Sequence, residues 1–213
     1  MRALRNLSIA IVLTTGVAQG ETATVAALGD SLTAGYGLDT ADGFVPQMQA
    51  WLDAQGVDVR IVNAGVSGDT TAGGLARADW TLTDDVDAMI VALGGNDYLR
   101  GLDPALSRAN LAGILKKAAA RDVDVLLVGL EAGGNYGPDY KAAFDGIYPE
   151  LAAEYGAMLY PRWFAGIFEA VGLDGDLRDF MQADGIHPNA AGVRLIVDAM
   201  GPSVAALVAD LDR

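Results

Sequence analysis

The stretch Thr24–Leu28, with the sequence TVAAL, runs directly into Gly29-Asp30-Ser31, and this junction indicates the fold. A short apolar run that ends in a glycine is typical of a buried strand followed by a tight turn. Two further runs end in the same way: Val57–Val62 (VDVRIV) at Asn63-Ala64-Gly65, and Val86–Leu93 (VDAMIVAL) at Gly94-Gly95-Asn96-Asp97. Val123–Val128 (VDVLLV) and Ala157–Tyr160 predict a fourth and a fifth strand.

Helical patterns separate these strands. The predicted helices are Phe44–Ala54, Thr70–Ala78, Leu102–Arg121, Tyr140–Tyr155 and Ala190–Leu211, the last of them capped by Asn189. Strands that alternate with helices, and that read as nearly continuous apolar runs, predict a parallel sheet covered on both faces. No repeat or linker interrupts the pattern, so residues 21–213 are predicted to form a single α/β domain. In such sheets ligands bind beyond the carboxyl ends of the strands.

Composition excludes several classes of protein. The chain has 213 residues, of which 52% are apolar and 20% charged, which is typical of a globular protein. Its 28 acidic and 14 basic residues give a formal charge of −14, and such a surface repels nucleic acid and anionic membranes. The absence of cysteine excludes disulfides, a thiolate nucleophile, cysteine-ligated zinc and a lipoprotein anchor.

Residues 1–20 have the pattern of a secretory signal peptide. Arg2 and Arg5 precede an apolar run that ends at Ala18, and the small residues Ala18 and Gly20 occupy the positions that a signal peptidase reads. The alternative is a retained membrane anchor, but the run is shorter than the ~20 residues that a spanning helix needs. We therefore expect export to the bacterial periplasm or medium, with no stable membrane insertion after cleavage.

The chain has one histidine, His187, in a predicted loop before the last helix. A lone histidine is more often structural than catalytic, but the loop position, and Asp184 three residues earlier, favour a general base. Ser31 and Ser67 both follow strands, and Ser31 is the better candidate nucleophile because it turns directly off the first strand. The alternative is that Ser31 only caps the next helix.

The sequence does not favour a G-x-S-x-G nucleophile elbow, a phosphate-binding loop or a metal site. Gly29-Asp30-Ser31-Leu32-Thr33 does not fit the G-x-S-x-G nucleophile elbow, and a GxxxxGK[ST] phosphate loop is absent. Asp174, Asp176 and Asp179 have the chemistry of a calcium site, but an acidic loop of this kind is more often simply solvated. A histidine–zinc site has no supporting ligands. We therefore expect no metal and no cofactor.

Gly29-Asp30-Ser31-Leu32 resembles the GDSL motif of the SGNH hydrolase family. Four blocks agree with that family in identity and order: Gly29–Gly37 (GDSLTAGYG), Asn63 with Ser67-Gly68-Asp69-Thr70, Gly94-Gly95-Asn96-Asp97, and Asp184-Gly185-Ile186-His187-Pro188. One tetrapeptide is weak evidence, whereas four blocks in this order, with the only histidine in the last, are specific. Three further segments resemble the periplasmic thioesterase I, protease I and lysophospholipase L1 branch, often called arylesterase: Leu75-Ala76-Arg77, Asn96–Gly101, and Asn135-Tyr136-Gly137 with Ile147-Tyr148-Pro149.

The resemblance implies a role for each matched residue. It makes Ser31 the nucleophile and His187 the base, with Asp184 orienting the imidazole. It places the oxyanion hole at the backbone N–H groups of Ser31 and Gly68 and the side-chain amide of Asn96. It also implies a three-layer α/β/α, flavodoxin-like fold with a five-stranded parallel sheet.

The predicted function is hydrolysis of carboxylic esters or thioesters through an acyl-serine intermediate, without a cofactor. Candidate substrates are small molecules: aryl esters, short to medium acyl esters, acyl thioesters and lysophospholipids. We expect a monomer that does not bind nucleic acid. Two alternatives remain open, a carbohydrate O-acetyl esterase and a non-catalytic periplasmic module that binds acyl groups.

Overall fold

The centre of the molecule is a five-stranded parallel sheet. The fold is described from a computed structural model, which describes residues 22–172 and 175–211, so the predicted signal peptide lies outside it. The strands are β1 (Ala23–Gly29), β2 (Val59–Gly65), β3 (Ala88–Ala92), β4 (Asp124–Val128) and β5 (Met158–Tyr160). Their order is β2-β1-β3-β4-β5, and each neighbouring pair is parallel. This is the flavodoxin-like strand order, which confirms the expected fold class.

Helices cover both faces of the sheet. They are α1 (Ser31–Ala34), α2 (Phe44–Ala54), α3 (Thr71–Thr81), α4 (Gly95–Leu99), α5 (Pro104–Ala119), α6 (Pro138–Asp145), α7 (Ile147–Tyr155), α8 (Ala165–Val171) and α9 (Ala190–Leu211). Buried residues of α2, α8 and α9 form one core cluster, and those of α3, α5, α6 and α7 form a second. In β1, Val25 and Ala27 belong to the first cluster and Ala26 and Leu28 to the second, because successive strand residues point to opposite faces.

Two predicted helices have the expected limits. The helix Phe44–Ala54 is confirmed, and so is the terminal helix Ala190–Leu211. Asn189 caps the latter as predicted, since its Oδ1 accepts the N–H groups of Ala191 and Gly192 at 3.0 Å each. By length and composition α9 could span a membrane, but half of its most apolar window is buried in the core.

The prediction of one helix over Tyr140–Tyr155 is wrong. The structure has two helices there, α6 and α7, which meet at Gly146. Pro149 explains the break, because it has no N–H to donate to the carbonyl of Asp145 and its ring clashes with that carbonyl in a continuous helix. The helix α8 was not predicted, since its seven residues are too few for a clear periodicity.

Two differences from the prediction lie at the carboxyl edge of the sheet. The second strand continues past Val62 to Gly65, because its last residues still pair with Ala27–Gly29 of β1. Gly29 and Gly65 therefore lie side by side at this edge. Gly95–Leu99, soon after the third strand, forms the short helix α4, which the sequence pattern does not predict.

Candidate active site

Ser31 stands at the point where β1 ends and α1 begins. The cap of α1 is Asp30, whose Oδ1 accepts the N–H of Leu32 at 3.0 Å. The alternative interpretation of Ser31 as the capping residue is therefore wrong. Ser31 is the first residue of the helix, and its hydroxyl is not engaged in capping.

His187 lies in a loop that is tied down at both ends. The N–H of Gln182 donates to the carbonyl of His187 at 2.7 Å, and the N–H of Asn189 donates to the carbonyl of Phe180 at 2.9 Å. Between them, Gly185 adopts φ 66°, a conformation that a side chain disfavours. The resulting tight turn brings Asp184 back toward the imidazole three residues later.

The imidazole of His187 joins the serine to the aspartate. Its Nε2 is 2.8 Å from Ser31 Oγ, which is hydrogen-bonding distance, and its Nδ1 is 2.6 Å from Asp184 Oδ2. The other carboxylate oxygen accepts the backbone N–H groups of His187 and Ile186, at 3.0 and 2.9 Å. The backbone N–H of His187, its imidazole and the N–H of Ile186 hold the pKa of Asp184 at about 2. The carboxylate is therefore charged at neutral pH and accepts the Nδ1 proton.

Gly68 and Asn96 border the same cavity as Ser31 and His187. Gly68 lies in a turn closed by the N–H of Asp69 and the carbonyl of Val66, 3.1 Å apart, and its φ of 84° requires glycine. Nη2 of Arg100, which directly follows α4, donates to the carbonyl of Gly68 at 2.8 Å. The structure thus brings all the predicted site residues together, although they come from four separate segments of the chain.

The side chain of Asn96 contacts the buried carboxylate of Asp30. Asp30 is 2% exposed, and Asn96 Nδ2 donates to its Oδ2 at 3.4 Å. Burial raises the pKa of Asp30 to about 6, against the opposing effect of its hydrogen bonds from Leu32 and Asn96. An amide nitrogen carries two N–H groups, so one can point to Asp30 and the other into the cavity that Asn96 lines.

Two supports of the site are not evident from the sequence. The first is Asp97, which is 1% exposed and accepts the N–H of Thr71 at 2.8 Å and the hydroxyls of Thr71 and Ser107 at 2.6 and 3.0 Å. These bonds join α4, which carries Asn96, to α3 and α5. The sequence showed Ser107 only as one residue of a helical pattern.

The second support is Arg77 on α3. Its Nη2 donates to the carbonyl of Gly29 at 2.7 Å and its Nη1 to the carbonyl of Ala64 at 2.5 Å. Its Nε donates to Asp69 Oδ2 at 2.6 Å. One guanidinium therefore joins the ends of β1 and β2 to the turn that carries Gly68, which suits its planar set of donors.

The cavity at Ser31 has a volume of 370 Å³ and is mostly apolar. Its apolar lining comprises Leu32, Tyr98, Leu99, Leu130, Phe144, Phe164 and Ile186. An apolar pocket with a few convergent polar groups is typical of a small-molecule site.

One carboxylate of the acidic loop considered for calcium forms a salt bridge with an arginine. Asp176 pairs with the guanidinium of Arg178 at 2.5 Å, and this contact lowers the pKa of Asp176 to about 2. Asp174 lies outside the described residues. Among the residues that the structure describes, no group of three or more His, Asp or Glu side chains could hold a metal ion.

Comparison with known proteins places the chain in a family. Residues 27–195 match the GDSL-like lipase/acylhydrolase family. Esterase TesA of Pseudomonas aeruginosa is 41% identical over 201 residues, which cover 94% of this chain and 96% of the relative. Thioesterase 1/protease 1/lysophospholipase L1 of Escherichia coli strain K12 is 34% identical over 199 residues, covering 93% and 90% of the two chains.

A solved structure agrees with these relatives. The crystal structure of AlinE4, an SGNH-hydrolase family esterase, has 45% sequence identity and a TM-score of 0.71, and the match covers 88% of this chain and 97% of that one. Fold, sequence blocks and relatives therefore give the same assignment. The chain belongs to the GDSL-like lipase/acylhydrolase family, whose members named above are esterases and a thioesterase.

Proposed function

We propose that this chain hydrolyses carboxylic esters and thioesters through an acyl intermediate on Ser31. The observation that carries the proposal is the imidazole of His187, 2.8 Å from the serine hydroxyl and 2.6 Å from the carboxylate of Asp184, beside an apolar cavity. A nucleophile, its base and the group that orients the base are the parts that covalent acyl transfer requires.

The reaction follows from these positions. His187 Nε2 accepts the proton of Ser31 Oγ as the oxygen attacks the acyl carbonyl. The proton then passes to the leaving alcohol or thiol, whose bond to the acyl carbon breaks. In the second half, His187 takes a proton from water, the hydroxide attacks the acyl-serine, and Ser31 regains its proton as the free acid leaves. Asp184 stabilises the imidazolium that forms in each half.

Negative charge develops on the carbonyl oxygen in both halves. We assign its stabilisation to the backbone N–H groups of Ser31 and Gly68 and to the side-chain amide of Asn96. The contact between Asn96 and Asp30 supports this role, because it limits the orientations open to the amide before the substrate arrives. Arg77 and Arg100 support it in the same way, since Arg100 binds the carbonyl of Gly68 and Arg77 binds the carboxylate of the next residue, Asp69.

The substrate class is proposed from the cavity lining. Apolar and aromatic side chains face Ser31, so an ester or thioester with an apolar acyl or aryl group fits this site better than an acetylated sugar. The names of the relatives agree, since they include an esterase and a thioesterase/lysophospholipase. We further propose that the enzyme acts as a monomer in the periplasm after loss of residues 1–20, and the mass of the exported protein tests the cleavage.

A fluorophosphonate probe tests the nucleophile. It should label the wild-type protein and fail to label Ser31→Ala. Ser67→Ala is the matched control, because Ser67 lines the same cavity and also follows a strand. Labelling lost in Ser67→Ala and kept in Ser31→Ala would contradict the assignment. A protein that binds acyl groups without catalysis would not be labelled at either serine.

Rates on p-nitrophenyl esters of increasing chain length, with an acyl-CoA and an acetylated xylan, test the substrate class. We expect the highest kcat/KM on esters with apolar acyl groups. A preference for the acetylated polysaccharide would support the carbohydrate esterase instead.

A further inference from the structure

The exposed apolar side chains of the described residues are concentrated at the carboxyl edge of the sheet. We call six of them the apolar rim: Tyr36, Val66, Leu99, Leu102, Tyr136 and Ile186. Tyr36 is 53% exposed and Leu99 49%, although both also line the cavity at Ser31. Trp80 is the clearest exception, and it lies at the amino edge, beside Thr24 and Asp85.

Three of the rim residues, Tyr36, Leu99 and Ile186, line the cavity itself. Tyr36 and Ile186 border it on the side of His187, and the Tyr36 ring is 4.7 Å from the imidazole. Leu99 also lines this cavity, and its carbonyl is 3.5 Å from the hydroxyl of Tyr136. Val66 begins the turn that carries Gly68. Five of the six rim residues therefore line the active site or adjoin a residue that does.

Such a surface needs an occupant, because soluble proteins rarely expose a contiguous apolar patch without a binding function. Tyr36 and Tyr136 are exposed tyrosines, and an apolar ring with a polar tip suits the boundary between an apolar phase and water. Both the composition of the rim and its place around the cavity therefore favour an amphiphile surface over a second protein.

The charge of the chain and of Arg100 indicates which kind of amphiphile the rim would bind. The chain carries a formal charge of −14, so an anionic lipid surface repels it. Arg100 is nevertheless exposed between Leu99 and Gly101, and none of the salt bridges among the described residues includes it. One Nη of this guanidinium donates to the carbonyl of Gly68, and a guanidinium has five N–H groups in a planar arrangement that suits a phosphate group. A phosphate that carries its own compensating cation, as in a zwitterionic headgroup, satisfies both observations.

We propose that the apolar rim, together with Arg100, docks the enzyme on the surface of zwitterionic phospholipid aggregates. In that orientation the mouth of the cavity faces the lipid, and an acyl chain reaches Ser31 without crossing water. The proposal rests on the proposed function, since docking has this consequence only if Ser31 is the acyl acceptor.

Vesicle flotation tests the surface. The exported protein should float with phosphatidylcholine vesicles that contain lysophosphatidylcholine, and float less with phosphatidylglycerol vesicles. The variant Val66→Ser/Leu102→Ser/Tyr136→Ser should bind the zwitterionic vesicles about tenfold or more weakly, because three apolar groups lose their contact with the lipid. Trp80→Ser is the matched control, since it removes a larger exposed side chain at the opposite edge and should bind as the wild type does.

Hydrolysis of soluble p-nitrophenyl acetate separates failure of the surface from failure of the enzyme. If the wild type does not cleave it, the proposed function fails. If the wild type cleaves it and does not float with either kind of vesicle, the docking proposal fails and the function stands. If loss of Tyr136 lowers this activity, the double variant Val66→Ser/Leu102→Ser is used in place of the triple variant.

Three further outcomes would overturn the proposal. These are equal flotation of the rim variant and the wild type, tighter binding to anionic vesicles, and a dimer that dissociates in the rim variant without any vesicle binding. The last result would identify the rim as a protein interface.

Discussion

Replacing Asn96 by alanine separates its proposed role in catalysis from a role in folding. In the folded protein the amide makes a 3.4 Å contact with Asp30, which is long for a hydrogen bond. Its loss should cost less than the ~1 kcal/mol of an ordinary bond. Loss of one oxyanion donor should instead raise the barrier by ~3–4 kcal/mol, which lowers kcat by roughly 10²–10³.

The assay measures kcat, KM and the melting temperature on one purified sample. KM for a p-nitrophenyl ester should change little, because the charge that Asn96 stabilises appears mainly in the transition state. Asn110→Ala is the matched control, since Asn110 also donates a side-chain amide to a neighbour, the hydroxyl of Thr71 at 3.0 Å, but does not line the cavity. Its kcat should stay close to that of the wild type.

A kcat within about threefold of the wild type, together with a melting temperature several degrees lower, would refute the reasoning. Asn96 would then be a structural residue that holds Asp30 and the start of α4. An equal loss of kcat in Asn96→Ala and Asn110→Ala would refute it as well, because the effect would not depend on contact with the cavity.

Three further predictions concern buried and charged groups. The pKa of Asp30 is about 6 rather than 3.8, so its ionisation opposes folding progressively as pH rises above 3.8 and in full above 6. Asp30→Asn should therefore raise the unfolding free energy by up to ~3 kcal/mol near pH 8, and urea titrations should show this gain disappear as pH falls below 3.8. The pKa of Asp184 is lowered from 3.8 to about 2, so its hydrogen bonds stabilise the fold above pH 3.8, and this stabilisation is lost as pH falls through 2. The unfolding free energies of Asp184→Asn and the wild type, measured by acid unfolding, should therefore converge near pH 2. Arg77→Met should lower kcat by about tenfold or more and weaken the affinity for a boronic-acid transition-state analogue. Arg108→Met is the control, because it loses only exposed pairs with Glu150 and Glu154, and it should leave kcat and this affinity unchanged.

The strands, the longer helices and the residues that meet at the candidate site were predictable from the sequence. Runs such as Val25–Leu28 show burial directly, because a strand covered on both faces is apolar at nearly every position. The blocks around Ser31, Gly68, Asn96 and His187 also lie in short contiguous segments. When the residues of a segment indicate its structure by themselves, that structure can be predicted without knowing what packs against the segment. Where a local signal was ambiguous, as for the helix broken by Pro149, the prediction was wrong.

Tertiary structure alone decided which groups meet. Nothing local to Arg77 shows that it binds the carbonyls at the ends of two neighbouring strands, since those carbonyls come together only when β1 and β2 pair. The same holds for Asp97, whose partners on α3 and α5 lie 26 and 10 residues away in the chain. The apolar rim, too, is six residues scattered through the sequence until the loops gather at one edge of the sheet. Residue identity determines what a group can do, whereas burial and hydrogen-bond partners depend on packing between distant segments.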